Sequence, residues 1–324
     1  MSQTEDSPSA PRRVLLLAHT GREAAREVAL AALTALTDHG MVVRLLTDEA
    51  SDLDVEASRP GVELTSSPDD ASRDCELTLV VGGDGTILRA AEITRASGTP
   101  ILGINLGHVG FLAEAEHDDV ASTIAAIVAR DYTTEDRMTL DVRVLRGGEE
   151  VAHTFAVNEA SVEKASRQRM LEVVVEIDGR PLSRWGCDGV VCATPTGSTA
   201  YNFSAGGPVV WPSVEALLMV PISAHALFAR PLVAAPDSLL AVEVLDHAEG
   251  AGVLWCDGRR AVDLPPGARI EVRRGESPVR LVRLTDSPFT DRLVAKFGLP
   301  VAGWRGAAER RSRHLGTVPS GEHP

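Results

Sequence analysis

The chain has 324 residues, of which 44% are hydrophobic and 24% are charged, and its formal net charge at pH 7 is −14. At roughly 150 residues per domain, this length favours about two domains, and the apolar fraction is too high for an intrinsically disordered protein. The acidic balance argues against general nucleic-acid binding, which requires a basic surface. An aromatic content of 4% argues against base-stacking platforms.

No targeting or membrane segment is evident in the sequence. The first residues are polar and acidic, unlike a signal peptide, and the longest apolar stretch, 216–229, is interrupted by proline, serine and histidine. The four cysteines show no C-x-x-C spacing, which favours reduced and mostly buried thiols. We therefore expect a cytoplasmic protein that binds neither nucleic acid nor membrane.

The first part of the chain shows strands that alternate with helices. After a polar segment, 1–11, that is expected to be a flexible tail, apolar runs and helical spacings predict strand Val14–His19, helix Glu23–Leu36, strands Val42–Leu46 and Leu77–Val81, helix Ile87–Ala96, strand Ile101–Ile104 and helix Val120–Ala129. This alternation predicts an α/β domain over 12–138, with a parallel sheet and right-handed crossovers.

The pattern changes near Thr139 to short strands separated by turn signals. The predicted strands are Thr139–Leu145, Thr154–Val157, Leu171–Ile177, Val190–Ala193, Leu239–Leu245, Val253–Trp255, Arg269–Val272 and Val279–Leu284. They predict a mainly β domain over 139–302, which ends in a short return helix, Phe289–Phe297. Residues 303–324, with several arginines and little apolar content, are expected to form a second flexible tail.

The strongest local motif is Gly82-Gly83-Asp84-Gly85-Thr86, directly after a predicted strand. Glycine lets the backbone approach a ligand closely and adopt a positive φ, and the N–H groups at the start of the next helix suit a phosphate. Asp84 stands at the carboxyl end of a parallel strand, where open α/β sheets bind ligands. The alternative interpretation is a tight strand-to-helix turn in which Asp84 is only the helix cap.

Other common motifs are absent from the sequence. Leu88 stands where a Rossmann fingerprint requires its third glycine, and no Gly-Lys-Ser/Thr of a Walker loop occurs. The histidines show no zinc-protease spacing, and no G-x-S-x-G elbow supports a serine hydrolase. His108 and His225 could be catalytic, although a lone histidine is more often structural.

Four further segments border predicted strands. Thr194–Pro208 begins with four hydroxyl side chains in six residues, which fits either a ligand rich in oxygen atoms or a turn that caps its own backbone. Gly103–Leu112 is a second glycine-containing loop. Asn158-Glu159 and Asp188-Gly189 are polar pairs that could also be ordinary turns.

Taken together and in their order along the chain, these five segments resemble the NAD kinase family. The Gly-Gly-Asp-Gly-Thr motif alone also occurs in diacylglycerol kinases, sphingosine kinases and phosphofructokinases, but the Thr-Pro-Thr-Gly-Ser-Thr-Ala-Tyr run is far more specific. The resemblance covers about residues 12–300. It implies an N-terminal α/β domain, a mainly β C-terminal domain and a homodimer or homotetramer.

The resemblance also implies an activity and a set of residues. The expected reaction moves a phosphoryl group from ATP, or from inorganic polyphosphate, to the 2′-hydroxyl of the adenosine ribose of NAD, with Mg²⁺ delivered on ATP. Asp84 is expected to be the general base. The residues expected to bind substrate are Asp84, Gly85, Arg89, Asn158, Glu159, Arg169, Asp188, Thr199, Ala200, Tyr201, Asn202, Phe203 and Ser204.

One departure from the family pattern concerns Asp188. Many relatives carry a basic residue two positions earlier, where this chain has Gly186, so that ion contact is lost or supplied from elsewhere. Two other functions remain open. One is a lipid kinase, which should carry a basic or amphipathic membrane surface, and the other is a dinucleotide-binding module without catalysis.

Overall fold

The computed structural model describes residues 11–106, 110–116, 119–166, 169–246, 250–285 and 287–301. The two predicted tails lie outside these ranges except for residue 11, as does His108. The elements up to residue 137 are β1 Arg13–Ala18, α1 Glu23–Asp38, β2 Val42–Leu46, α2 Thr47–Asp52, β3 Val62–Thr65, β4 Leu77–Val81, α3 Asp84–Thr94, β5 Ile101–Asn105, β6 Ala115–Glu116, α4 Val120–Ala129 and β7 Thr133–Arg137.

The later part of the chain is almost entirely strands. Its elements are β8 Leu140–Arg146, β9 Glu149–Ala156, β10 Glu159–Lys164, β11 Leu171–Ile177, β12 Arg180–Cys187, β13 Gly189–Ala193, α5 Tyr201–Ser204, β14 Leu217–Ile222, β15 Leu232–Ala234, β16 Leu240–Val244, β17 Gly252–Cys256, β18 Arg260–Leu264, β19 Ala268–Arg274, β20 Val279–Arg283 and α6 Phe289–Phe297.

Within the described ranges, the first sheet has the strand order β3-β2-β1-β4-β5-β20-β7, with β6 also paired to β5. The pairs among β1 to β5 are parallel. Buried residues of α1 and α4 pack with one face of this sheet, and those of α3 pack with the other. Helices cover both faces of the sheet. Every residue of β4 is therefore buried, although its side chains alternate between the two faces.

Two further sheets, β15-β14-β13-β10-β17-β18 and β12-β11-β16-β19-β8-β9, enclose the second core. Their pairings are antiparallel, as in β10 with β13 and β11 with β12. The predicted fold class, an α/β domain followed by a mainly β domain, is confirmed. Three of the four cysteines are buried and all four are free thiols, as the sequence predicts.

The structure corrects the placement of one strand. The segment Val279–Leu284 was predicted to be part of the β domain, but β20 pairs with β5 and β7 of the first sheet. The chain therefore returns to the first sheet after it completes the second core. α6 follows β20 and thereby lies beside the loop after β5, where Arg292 donates to the carbonyl of Ala113 at 2.8 Å.

α3 lies between the two parts of the molecule. Its apolar side chains pack in one cluster with Leu15 and Leu17 of β1, and Phe155 and Val157 from the β9–β10 region belong to the same cluster. The helix therefore contacts the mainly β part of the chain. No helix in the described ranges combines the length and apolar character needed to cross a membrane.

Candidate active site

Asp84 is the first residue of α3, and its carboxylate does not cap that helix. The N-cap position is Gly83, and it has no side-chain cap. The two carboxylate oxygens of Asp84 instead accept hydrogen bonds from the backbone N–H groups of Phe111 at 3.1 Å and Leu112 at 3.2 Å. The interpretation of Asp84 as a simple helix cap is therefore wrong, because the loop after β5 holds its side chain.

Gly110 allows this loop to approach Asp84. A Cβ atom on Gly110 would lie 2.5 Å from Oδ1 of Asp84, which is well inside van der Waals contact. None of Gly82, Gly83 and Gly85 has a positive φ, so that part of the prediction is wrong. These glycines provide space rather than an unusual backbone conformation.

A cavity of about 490 Å³ lies in front of the start of α3. Gly83, Gly85 and Thr86 line one side of it, and the β1–α1 loop lines another. Three arginines, Arg22, Arg89 and Arg259, also line it. Positive charge, small residues and a helix N-terminus together suit a chain of phosphates.

Arg89 lines this cavity but also has a protein partner. Its Nη1 lies 2.5 Å from Oε1 of Glu49, whose side chain is almost fully buried. Burial raises the pKa of Glu49, and the positive charge of Arg89 opposes that effect. Arg89 therefore lines the cavity beside the glycine loop and is held there by its ion pair with Glu49.

Asn158 and Glu159 are positioned by a buried carboxylate, that of Asp257. Its Oδ1 accepts the N–H of Asn158 at 2.7 Å, and both of its oxygens lie 3.0 Å from the N–H of Val157. The backbone N–H of Asp257 in turn donates to the carbonyl of Glu159 at 2.9 Å. This reciprocal bonding fixes the start of β10 against the end of β17.

The carboxylate of Glu159 is buried beside α5. Its Oε2 accepts the backbone N–H of Tyr201 at 3.2 Å. Burial, and secondarily the charge of Asp257, raises the pKa of Glu159 to about 7. Glu159 therefore changes charge near neutral pH, which is typical of residues at functional sites.

Asp188 has a cation partner on the neighbouring strand. The ammonium of Lys164, at the end of β10, donates to its carboxylate, and this contact lowers the pKa of Asp188. The ion contact that Gly186 cannot make is thus supplied by Lys164. His225 approaches the same region, and its backbone N–H donates to the carbonyl of Gly186 at 2.8 Å.

Aromatic side chains connect the Asp84 loop to α5 through α6. Phe297 stacks on Phe203 with ring centroids 4.6 Å apart and also contacts Phe111 at 5.9 Å. Phe289 contacts Phe111 at 5.9 Å and Trp211 at 5.3 Å. Because Phe111 is also a hydrogen-bond donor to Asp84, these contacts bring the aspartate loop and the Thr194–Pro208 segment into one neighbourhood.

Comparisons with known proteins agree with this arrangement. Residues 14–132 match the model of the ATP-NAD kinase N-terminal domain, and residues 157–284 match that of the ATP-NAD kinase C-terminal domain. The NAD kinase of Thermobifida fusca is 62% identical over 307 residues, which cover 93% of this chain and 94% of that protein. NAD kinase 2 of Streptomyces coelicolor is 62% identical over 298 residues, covering 91% and 97%.

The chain belongs to the ATP-NAD kinase family. Among solved structures, yeast NADH kinase complexed with NADH superposes with a TM-score of 0.81 at 25% identity, covering 91% of this chain and 89% of that one. An Archaeoglobus fulgidus NAD kinase in complex with ATP superposes with a TM-score of 0.63 at 27% identity, covering 88% and 98%. As an ATP-NAD kinase, this protein is a phosphotransferase that acts on NAD.

The hydroxyl groups of the Thr194–Pro208 segment bond mainly to the protein backbone. The hydroxyl of Thr194 donates to the carbonyl of Val157 at 2.6 Å, and that of Ser198 donates to the carbonyl of Val210 at 3.1 Å. The hydroxyl of Thr199 donates to the carbonyl of Thr196 at 3.3 Å. Of these three hydroxyl groups, only that of Thr199 donates within the turn itself, and the other two donate to backbone that is distant in sequence.

The remaining predicted site residues differ in exposure. Asn202 is fully buried, and its Nδ2 donates to the carbonyls of Ser198 and Pro208 at 3.2 and 3.1 Å, so its side chain shapes the segment from inside. Ala200 and Tyr201 are half-buried, Phe203 and Ser204 are exposed, and Arg169 is exposed in the loop before β11.

Several residues near this site were not predicted from the sequence. They include Arg22 and Arg259, which line the cavity, and Lys164, Asp257 and Arg260. Asp257-Gly258 directly follows the strand β17, just as Asp188 directly precedes β13. Asp257 has a φ of 55°, which is rare for a residue other than glycine. A second Asp-Gly pair beside a strand was the available signal.

Metal-binding side chains are not clustered in the part of the chain that the structure describes. No group of three or more His, Cys, Asp or Glu residues there is placed to hold an ion. Kinases that use ATP generally take it with a divalent metal ion bound to its phosphates.

Proposed function

We propose that this chain transfers the terminal phosphoryl group of ATP to the 2′-hydroxyl of the adenosine ribose of NAD, with Asp84 as general base. The ribose oxygen forms a bond to phosphorus, the bond from phosphorus to the leaving ADP oxygen breaks, and the hydroxyl proton passes to Asp84. A ribose hydroxyl is a weak nucleophile, so a carboxylate in contact with it lowers the barrier. The observation that carries this proposal is the carboxylate of Asp84, held by two backbone N–H groups between the glycine loop and the loop after β5.

The phosphate donor occupies the cavity lined by Arg22, Arg89 and Arg259 in this proposal. Phosphoryl transfer requires mainly positioning and neutralisation of charge, and this chain has no Walker lysine for that purpose. The three guanidinium groups and the N-terminus of α3 neutralise the phosphates, together with Mg²⁺ that arrives on ATP. Inorganic polyphosphate would bind to the same positive groups, which makes it a second candidate donor.

The dinucleotide lies against the second domain in this proposal. Asn158, Glu159 and Asp188 supply polar contacts to its ribose and adenine, and α5 covers them. Burial raises the pKa of Tyr201, and the nearby charges of Glu163, Glu159 and Asp188 add to that effect. These residues therefore form one polar surface along β10 and β13.

We also propose that the protein assembles as a homodimer or homotetramer. Support comes from large apolar side chains exposed on the second domain, among them Leu182, Leu227 and Phe228. The indole N–H of Trp185 donates to the carbonyl of Phe228 at 3.0 Å, which holds this loop in place. Light scattering of the purified protein and of a Leu227→Asp, Phe228→Asp variant tests this assembly.

The variant Asp84→Asn tests the function. We expect NAD to bind with a dissociation constant within a few-fold of the unmodified value, while turnover falls by ~10²–10⁴-fold. Binding is measured by calorimetry and NADP formation by a coupled assay with ATP and Mg²⁺. Asp263→Asn, at an exposed position on β18, is the matched control.

Other outcomes of these assays lead to different conclusions. Near-normal turnover in Asp84→Asn would remove this carboxylate from the mechanism. NAD binding by the unmodified protein without NADP formation would indicate a dinucleotide-binding module. A parallel assay with diacylglycerol as acceptor tests the lipid kinase, which the family assignment disfavours.

A further inference from the structure

Arg260 connects α3, which carries Asp84, to the backbone that carries Asn158. Its Nη2 lies 2.9 Å from Oδ2 of Asp257, the carboxylate that receives the N–H groups of Val157 and Asn158. Its Nη1 pairs with the carboxylate of Glu92 in the last turns of α3. One guanidinium group thus joins the two halves of the proposed site.

The surroundings of Arg260 hold the guanidinium in a single orientation. Its Nη2 also donates to the carbonyl of Phe155 at 2.8 Å, and its Cζ lies 4.3 Å from the centroid of the Phe155 ring. Arg95, one residue beyond α3, lies 4.5 Å from the same centroid. The Phe155 ring is therefore in contact with one arginine from each side of the boundary between the two parts of the molecule.

Two carboxylates and two guanidinium groups pair at this contact. Asp257 and Glu92 are negative, and Arg260 and Arg259 are positive, with Nε of Arg259 2.9 Å from Oε1 of Glu92. The Asp257 side chain is 1% exposed, so its carboxylate depends on these partners rather than on water. Arg259 also lines the cavity assigned to the phosphate donor.

A short, continuous stretch of helix separates this contact from Asp84. Glu92 follows Asp84 by eight residues on one continuous helix, which corresponds to about 12 Å at 1.5 Å per residue. A helix of this length moves as a rigid body, so a shift of Glu92 relative to the β domain also shifts Asp84. A displacement of about 1 Å at a reacting group can cost on the order of 10²-fold in rate.

We infer that Arg260 is a positioning residue for phosphoryl transfer, which sets the distance between Asp84 and the ribose-binding backbone at Asn158 through its simultaneous contacts with Glu92 and Asp257. The inference rests on the proposed function, because it assumes that Asp84 receives the ribose proton. Arg260 is not in contact with the reacting atoms. Its planar guanidinium bonds two carboxylates at once, which a lysine ammonium does not do in the same geometry.

The variant Glu92→Gln separates this role from folding. It weakens the contact of α3 with both Arg260 and Arg259 at a partly exposed carboxylate and leaves the buried Asp257–Arg260 pair in place. We expect turnover to fall by about tenfold, with the dissociation constant for NAD and the midpoint of thermal unfolding nearly unchanged. Arg260→Lys should show a similar loss, and the double variant should lose no more than the worse single variant, because both break the same connection.

A matched control and a second readout complete the experiment. Glu215→Gln breaks the exposed ion pair in which Nη2 of Arg274 lies 2.7 Å from Oε1 of Glu215. This variant should leave turnover unchanged. The ratio of ADP formed to NADP formed should rise in Glu92→Gln, because a misplaced ribose hydroxyl leaves the phosphoryl group open to water. A loss of folded protein would lower both products equally and leave this ratio constant.

Turnover within twofold of the unmodified value in both Glu92→Gln and Arg260→Lys would overturn the inference. So would additive losses in the double variant. Asp84→Asn is assayed in parallel. If that variant is active, the proposed function itself fails, whereas an inactive Asp84→Asn with a fully active Glu92→Gln contradicts only the role of Arg260.

Discussion

The Lys164 ammonium, at the end of β10, donates to the carboxylate of Asp188, which directly precedes β13. β10 and β13 are antiparallel neighbours in which Glu163 lies opposite Gly189, so the two side chains meet at one end of the pair. Position 186, two residues before this aspartate, is a glycine on β12 and carries no charge. The cation comes instead from β10.

Lys164→Met should weaken dinucleotide binding without changing turnover. Both side chains are partly exposed, so we expect the KM for NAD to rise only about twofold to fivefold, as for a pair worth ~0.2–1 kcal/mol. Steady-state kinetics measures both constants, and Lys164→Arg should restore the KM. Lys296→Met, at an exposed position on α6, is the control. An unchanged KM for NAD would show that the Lys164–Asp188 pair does not contribute to dinucleotide binding.

Glu159 should make the stability of the protein fall as pH rises toward neutrality. Burial raises its pKa to about 7 in the folded protein, while the unfolded chain loses this proton at a lower pH. Between roughly pH 5 and pH 7 the folded state therefore holds a proton that the unfolded state has released, so stability decreases with pH. Above pH 7 the buried charge lowers the stability by up to ~3 kcal/mol.

Glu159→Gln removes this titration. We expect the variant to lack the decrease between roughly pH 5 and pH 7 and to be more stable than the unmodified protein at about pH 8. Urea unfolding at both pH values measures the difference, with Glu215→Gln as an exposed control. Parallel pH dependences in the two proteins would contradict a raised pKa for Glu159.

Gly82→Ala should lower the stability of the protein, whereas Gly85→Ala should lower its activity. A Cβ on Gly82 would lie 2.5 Å from Oγ1 of Thr86, whereas a Cβ on Gly85 meets no protein atom within 4 Å and faces the cavity. We expect Gly82→Ala to lower the midpoint of thermal unfolding. Gly85→Ala should change stability by less than about 1 kcal/mol while kcat/KM for ATP falls on the order of tenfold. Full activity in Gly85→Ala would exclude the donor from this side of the cavity.

Arg292→Met should loosen the loop that holds Asp84. Arg292, on α6, donates to the carbonyl of Ala113 and pairs with the buried carboxylate of Glu114. Glu114 keeps its pair with Arg283 at 2.6 Å, so we expect a loss of only ~1–3 kcal/mol in the free energy of unfolding. Turnover should fall several-fold, because the N–H groups of Phe111 and Leu112 no longer hold the carboxylate of Asp84 in one place. Arg280→Met, at a half-exposed side chain, is the control, and turnover equal to that of the control would separate α6 from catalysis.

Periodic segments were predicted most accurately. The bounds of β2, β4, α4, β11 and α6 agree with the prediction to the residue, because each combines an apolar pattern with a clear turn or cap. α3 begins at Asp84 and not at Ile87, since glycines were interpreted as loop. The strand β7, Thr133–Arg137, carries little apolar signal and was missed. Its pairing with β20 stabilises it more than its own side chains do.

By itself the sequence determined the order of elements, the two-part architecture and the glycine–aspartate loop with its chemical meaning, because these depend on local patterns and short spacings. Only the tertiary structure decided that β20 returns to the first sheet and that Lys164 forms an ion pair with Asp188. It also decided that Asp257 and Arg260 connect Asn158 to α3. Each of these joins residues that are distant in sequence. Side-chain charge and hydrogen-bonding capacity can be read from a residue type, but its partner is chosen by the packing of the whole chain.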